Sequence, residues 1–105
     1  MPTTEHRLGP VDQIPVGEGR NFSVAAQQVA VFRTRQGGLF ATQANCPHRG
    51  GPLADGLIGE NTVICPLHDW NFDLATGETK NGECGITVYP VRAVDGEIVL
   101  TVETL

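Results

Sequence analysis

The stretch QVAVFRTRQGGLFATQ, residues 28–43, does most to fix the fold class of this chain. Two runs rich in β-branched and aromatic residues flank a Gly37-Gly38 pair, which predicts strands at Val29–Arg35 and Leu39–Gln43 joined by a tight turn. The pattern recurs in YPVRAVDGEIVLTV, residues 89–102. There Asp95-Gly96 turns a strand at about Thr87–Val94 into another at Ile98–Val102. NTVIC reads as a short strand leading into Cys65, and WNFDLATGE as a strand followed by a Thr76-Gly77 turn. LGPVDQIPVGEG, with Pro10 and Pro15, reads as an edge strand and a loop. No window sustains a 3.6-residue apolar period between an N-cap and a C-cap. The expectation is an all-β fold, a small antiparallel sandwich or barrel of short strands.

The chain has 105 residues, enough for one modest core, and residues 1–105 are expected to form a single domain. Its net charge of −5, with only seven scattered Lys and Arg, argues against a nucleic-acid partner. An acidic surface suits a partner with a basic face, by steering more than by tight affinity. No apolar run reaches the length of a membrane span, so no membrane partner is expected. Three cysteines fit a disulfide framework poorly, and the N-terminal stretch has neither the basic nor the apolar region of a secretory signal. The expected location is cytoplasmic.

Chemistry concentrates in NCPHRGGPLADGLIGENTVICPLHDWNFD, residues 45–73, where Cys46-x-His48 and Cys65-x-x-His68 are separated by 16 residues. Both pairs fall in loops after short β segments, and each Cys is followed by Pro. Gly50 and Gly51 let the backbone approach a bulky ligand. A single nucleophilic cysteine would give no reason for a second matched pair. A Cys46–Cys65 disulfide would leave the histidines unexplained. Two metal readings remain. Zinc would take two thiolates and two imidazoles in a closed tetrahedron, although its usual patterns pair Cys with Cys and His with His. A binuclear iron–sulfur cluster suits mixed arms if one iron takes both sulfurs and the other both imidazoles.

These pairs, with CPHRGGPLADG and ICPLHDWNFDLATGE around them, resemble the Rieske 2Fe-2S proteins. The likeness is to soluble ferredoxins and to small subunits of NAD(P)H-dependent nitrite reductases. The resemblance implies one 2Fe-2S cluster, held by Cys46 and Cys65 on one iron and His48 and His68 on the other. It implies a cluster-binding subdomain at about residues 44–73, with the imidazoles at its exposed tip as the exit for electrons. It further implies an electron-transfer component of an oxidoreductase, with no catalytic residues and no substrate site of its own. Its partners would be redox proteins, namely a flavin reductase or reductase large subunit and a terminal oxidoreductase.

Two ferric ions, two sulfides, two thiolates and two neutral imidazoles sum to zero charge, so such a site takes an electron more easily than a four-thiolate cluster. The imidazole N–H groups are expected to be acidified by ferric iron, so the potential should fall with pH once those protons leave. High-potential members of the family carry an extra Cys in each loop and hydroxyl donors to the cluster sulfurs. Here the positions are Leu67, Trp70 and Phe72, which places the expected potential at the low end of the family span. Dioxygenase ferredoxins carry a proline-containing loop over the cluster. Residues 78–89 contain no proline, which favours the nitrite-reductase small subunit, with the ferredoxin of a ring-hydroxylating dioxygenase as the alternative. Cys84 reads as a free thiol, His6 as a solvated side chain, and Arg49, Asp69, Asp55, Glu60 and Glu78 as surface charges. Trp70 reads as a packing anchor under the cluster loop.

Overall fold

The computed structural model describes residues 3–24, 27–45, 53–59, 61–65, 71–79 and 85–103. Among the described residues the regular elements are strands and two single 3-10 turns. The strands are β1 (Thr3–Pro10), β2 (Glu18–Val24), β3 (Gln27–Arg33), β4 (Leu39–Gln43), β5 (Leu57–Ile58), β6 (Thr62–Ile64), β7 (Asn71–Asp73), β8 (Val88–Tyr89), β9 (Val91–Val94) and β10 (Glu97–Glu103). They form three antiparallel sheets, ordered β1-β10-β9, β2-β3-β4-β8 and β5-β6-β7. The all-β antiparallel architecture is the one the turn signals imply.

Strand β3 explains the layering. Val29, Ala30, Val31 and Phe32 are all fully buried, and successive side chains on a strand point to opposite faces. Val29 and Val31 pack with Ile14, Val24, Ala41 and the alternating Ile98, Leu100 and Val102 of β10. Ala30 and Phe32 face the other way and pack with Leu53, Val63, Cys65, Phe72, Leu74 and Ile86. The four-stranded sheet is therefore the middle layer, and its unbroken apolar run marks a strand covered on both faces.

Gly19 of β2, opposite Phe32 in the register, leaves room for that ring. A Cβ there would lie 2.7 Å from the ring and 3.3 Å from Ala54 Cα in the 3-10 turn Leu53–Asp55.

Several boundaries differ from the sequence expectation. β3 stops at Arg33, because the Thr34 Oγ1 and carbonyl take hydrogen bonds from the Gly38 and Gly37 amides and close the turn early. The strand expected at Thr87–Val94 is divided at Pro90, which has no amide to donate. Before it, β8 pairs with β4; after it, β9 pairs with β10 in another sheet. The Asp95-Gly96 turn forms as expected, with both residues at positive φ (52° and 78°). β2 was not expected: EGRNFSV lacks alternation, and as an edge strand it buries only Gly19 and Val24. His6 belongs to β1, half-buried, with a ring nitrogen 2.8 Å from Thr4 Oγ1. On the outer sheet Glu5 of β1 reaches over β10 to Arg92 of β9 at 2.8 Å. That contact holds the Glu5 carboxyl below its ordinary pKa.

Candidate metal centre

Of the four expected ligands, Cys65 lies within the described residues, and Cys46, His48 and His68 lie outside them. So do Arg49, Gly50, Gly51, Glu60, Leu67, Asp69, Trp70 and Cys84.

Cys65 follows β6 directly and is 1% exposed, with a free thiol. The alternation that buries Val63 carries to Cys65, and Phe72 pairs with Val63 across the ladder. The sulfur thus emerges from the apolar cluster that joins the third sheet to the middle one. The thiol of a residue so placed has little access to water, which suits a soft ligand to a buried metal.

The scaffold closes the loop bases on both sides. Ile64 pairs with Asn71, so β6 and β7 clamp the ends of segment 65–70. Gly56 lies against the Ile64 carbonyl, where a Cβ would collide with the main chain that leads to Cys65. The first pair's segment is closed by the Leu53 amide, which donates to the Ala44 carbonyl at 3.0 Å. Leu53 is fully buried in the same apolar cluster as Cys65, so the bases of the two arms share one floor.

A third segment, 80–84, has its ends joined to that floor. Asp73 accepts the Ala75 and Thr76 amides at 2.8 and 3.1 Å, which shapes the turn after β7. Gly77, at φ +83°, accepts from the Ile86 amide at 2.8 Å, and Thr79 donates its hydroxyl to the Asn71 carbonyl at 3.2 Å. Sequence reasoning found the Thr76-Gly77 turn. It missed the props at Ala44, Leu53 and Gly56, which carry no local signal because each bears on main chain across an irregular loop rather than within its own element.

The decisive comparison is with family profiles: residues 4–94 match the Rieske [2Fe-2S] domain. The chain belongs to the Rieske family. Its cofactor is accordingly a Rieske-type 2Fe-2S cluster rather than zinc, and its role is electron transfer. Among relatives of this Rieske protein, the biphenyl dioxygenase ferredoxin subunit of Pseudomonas sp. is 39% identical over 93 residues, covering 86% of this chain and 84% of the relative. The anthranilate 1,2-dioxygenase ferredoxin subunit of Burkholderia cepacia is 33% identical over 99 residues, covering 92% and 91%. Against the 4beta-methylsterol monooxygenase of Methylococcus capsulatus, the chain spans only 22% of the relative's length, at 35% identity.

Among solved structures, one from Mycobacterium tuberculosis assigned as an NADH-dependent nitrite reductase small subunit superposes with a TM-score of 0.91. It covers 100% of both chains at 22% identity, a likeness of fold. The ferredoxin of carbazole 1,9a-dioxygenase from Nocardioides aromaticivorans gives 0.83 at 27% identity, covering 92% and 96%. Among the described residues of this Rieske chain, no helix is long and apolar enough to cross a membrane.

The residues present fit the cluster. The sequence offers two thiols and two imidazoles in mixed pairs, and the described thiol is free and buried at the end of the β6–β7 ladder. That is the donor set a neutral 2Fe-2S site requires.

Proposed function

We propose that this chain is a one-electron carrier whose cluster is held by Cys46, His48, Cys65 and His68, serving a terminal oxidoreductase in the cytoplasm. The observation that carries the reading is Cys65, a free thiol 1% exposed at the end of β6, with the second ligand pair bracketed by the Ile64–Asn71 ladder. When bound, the cluster takes up and gives back one electron per cycle. The chain's own part is to hold it. The apolar floor of Leu53, Val63, Phe72 and Leu74 excludes water beneath Cys65. A site with less water around it reorganises less when its charge changes.

Two physiological settings have separate support. The small subunit of an NAD(P)H-dependent nitrite reductase is supported by the fold likeness over the full chain and by the proline-free 78–89 segment. The ferredoxin of a ring-hydroxylating dioxygenase is supported by relatives at 39% and 33% identity that the chain matches over most of their length. In either setting the donor is a flavin-bearing reductase or reductase chain.

The test has two stages. Cys46→Ser, His48→Ala, Cys65→Ser and His68→Ala should each abolish cluster binding; retention of a normal cluster in any one would remove that residue from the ligand set. Stopped-flow mixing of reduced protein with a dioxygenase oxygenase component and, separately, with a sirohaem reductase large chain should then give fast oxidation by one. Equal inertness to both would overturn both settings.

A further inference from the structure

Strand β4 ends where the chain leaves the middle sheet for the first ligand pair, and a side chain supplies one of the two bonds that finish its ladder. The Gln43 amide donates to the Thr87 carbonyl at 3.0 Å, as an antiparallel partner should. The return bond is replaced: the Thr87 amide donates to the Gln43 side-chain Oε1 at 2.8 Å. The Gln43 carbonyl meanwhile takes the hydroxyl of the fully buried Thr42, also at 2.8 Å. The other end of the same Gln43 side chain, Nε2, donates to the Asn45 carbonyl at 2.8 Å. One amide therefore ties the residue immediately before Cys46 to Thr87, the residue leading into β8.

We propose that Gln43 is a positioning residue for the cluster. Through Asn45 it sets the direction in which the first arm departs from the sheet, and so where Cys46 and His48 are presented to the second arm. The inference rests on the ligand reading above. A side-chain amide suits the task because it offers an acceptor and a donor at opposite ends of one planar group. The Leu53–Ala44 bond closes the loop base, and Asn45 sits at a β-bridge position. Gln43 adds a side-chain hold on the Asn45 carbonyl itself.

The experiment uses cluster-loaded full-length protein. Iron release to a chelator is followed by loss of visible absorbance, together with the line width of the reduced-state electron paramagnetic resonance signal. Gln43→Ala should release iron about tenfold faster, the low end for loss of an outer partner of a metal ligand. It should also broaden the signal while leaving far-ultraviolet dichroism unchanged. Gln43→Glu keeps an acceptor for Thr87 but sets a carboxylate oxygen against the Asn45 carbonyl, and should behave like Gln43→Ala.

Val102→Ala, in the distant apolar cluster, is the control for general destabilisation. Gln43 variants that release iron at the parental rate would overturn the proposal. So would release no faster than in Val102→Ala, with an unbroadened signal. Absence of a cluster from the parental protein would instead overturn the ligand reading.

Discussion

Gly19→Ala tests the layering that brings the cluster floor against the middle sheet, because two opposed effects decide its sign. Gly19 does not require the left-handed region, so alanine is compatible with its backbone. On entropy alone the substitution should stabilise by about 0.4–1 kcal/mol through the unfolded chain. Against that, the new Cβ would lie 2.7 and 2.8 Å from two carbons of the Phe32 ring, and 3.3 Å from Ala54 Cα. The ring is fully buried, in the same apolar cluster as Leu53, Val63 and Phe72. Overpacking a filled core costs about 1–3 kcal/mol. The net expectation is a loss of about 1–2 kcal/mol. At about 4–8 °C per kcal/mol, Tm should fall by about 4–16 °C.

Thermal and urea unfolding of parent and variant measure this directly. Phe32→Leu, costly alone, should cost less in the Gly19→Ala background, because the two positions share one volume. A Gly19→Ala protein as stable as the parent, or more stable, would refute the claim that Phe32 fills the space over Gly19.

Gly77→Ala should be more damaging than Gly19→Ala, since it adds a positive φ of 83° to a collision with the Ile86 carbonyl; unfolding midpoints rank the two. Gly56→Ala should displace the Ile64 main chain that leads to Cys65, and chelator challenge should strip iron from it faster than from the parent. Phe72→Tyr should raise the reduction potential by placing a hydroxyl donor in the apolar cluster of Cys65. Selective stabilisation of the reduced state by about 1.4 kcal/mol corresponds to about 59 mV for one electron, readable by voltammetry. Glu5 is lowered from 4.5 by its hydrogen bond and attraction to Arg92, so its contribution is present above that value and lost as pH falls through the lower folded one. The stability difference between parent and Glu5→Gln should accordingly vanish on acidification below pH 4.5, a small effect at an exposed pair.

The sequence disclosed most where a local pattern has one physical solution. Asp95-Gly96 between apolar runs can hardly be anything but a hairpin turn, and the β-branched and aromatic run before Gly37-Gly38 marks a strand, though its burial on both faces emerged only in the structure. The proposed ligand pairs stand out in the sequence because Cys and His are scarce in this chain and their spacing is specific. β2 was hidden because an edge strand with a glycine facing a ring has no alternation to detect. The switch of sheets at Pro90 was hidden because two short strands in line read as one long one. Gln43, Gly56 and Leu53 act on main-chain groups outside their own element, at Thr87, Ile64 and Ala44, contacts that no local sequence pattern announces.

The account turns on two nitrogens and two sulfurs sharing one binuclear cluster. Pulsed electron paramagnetic resonance of the dithionite-reduced protein reads this directly. The prediction is a rhombic signal with two strongly coupled imidazole nitrogens, both lost in His48→Ala or His68→Ala together with the cluster. A colourless protein with one zinc per chain and no signal would contradict the account. A reduced cluster free of nitrogen coupling would contradict it as well.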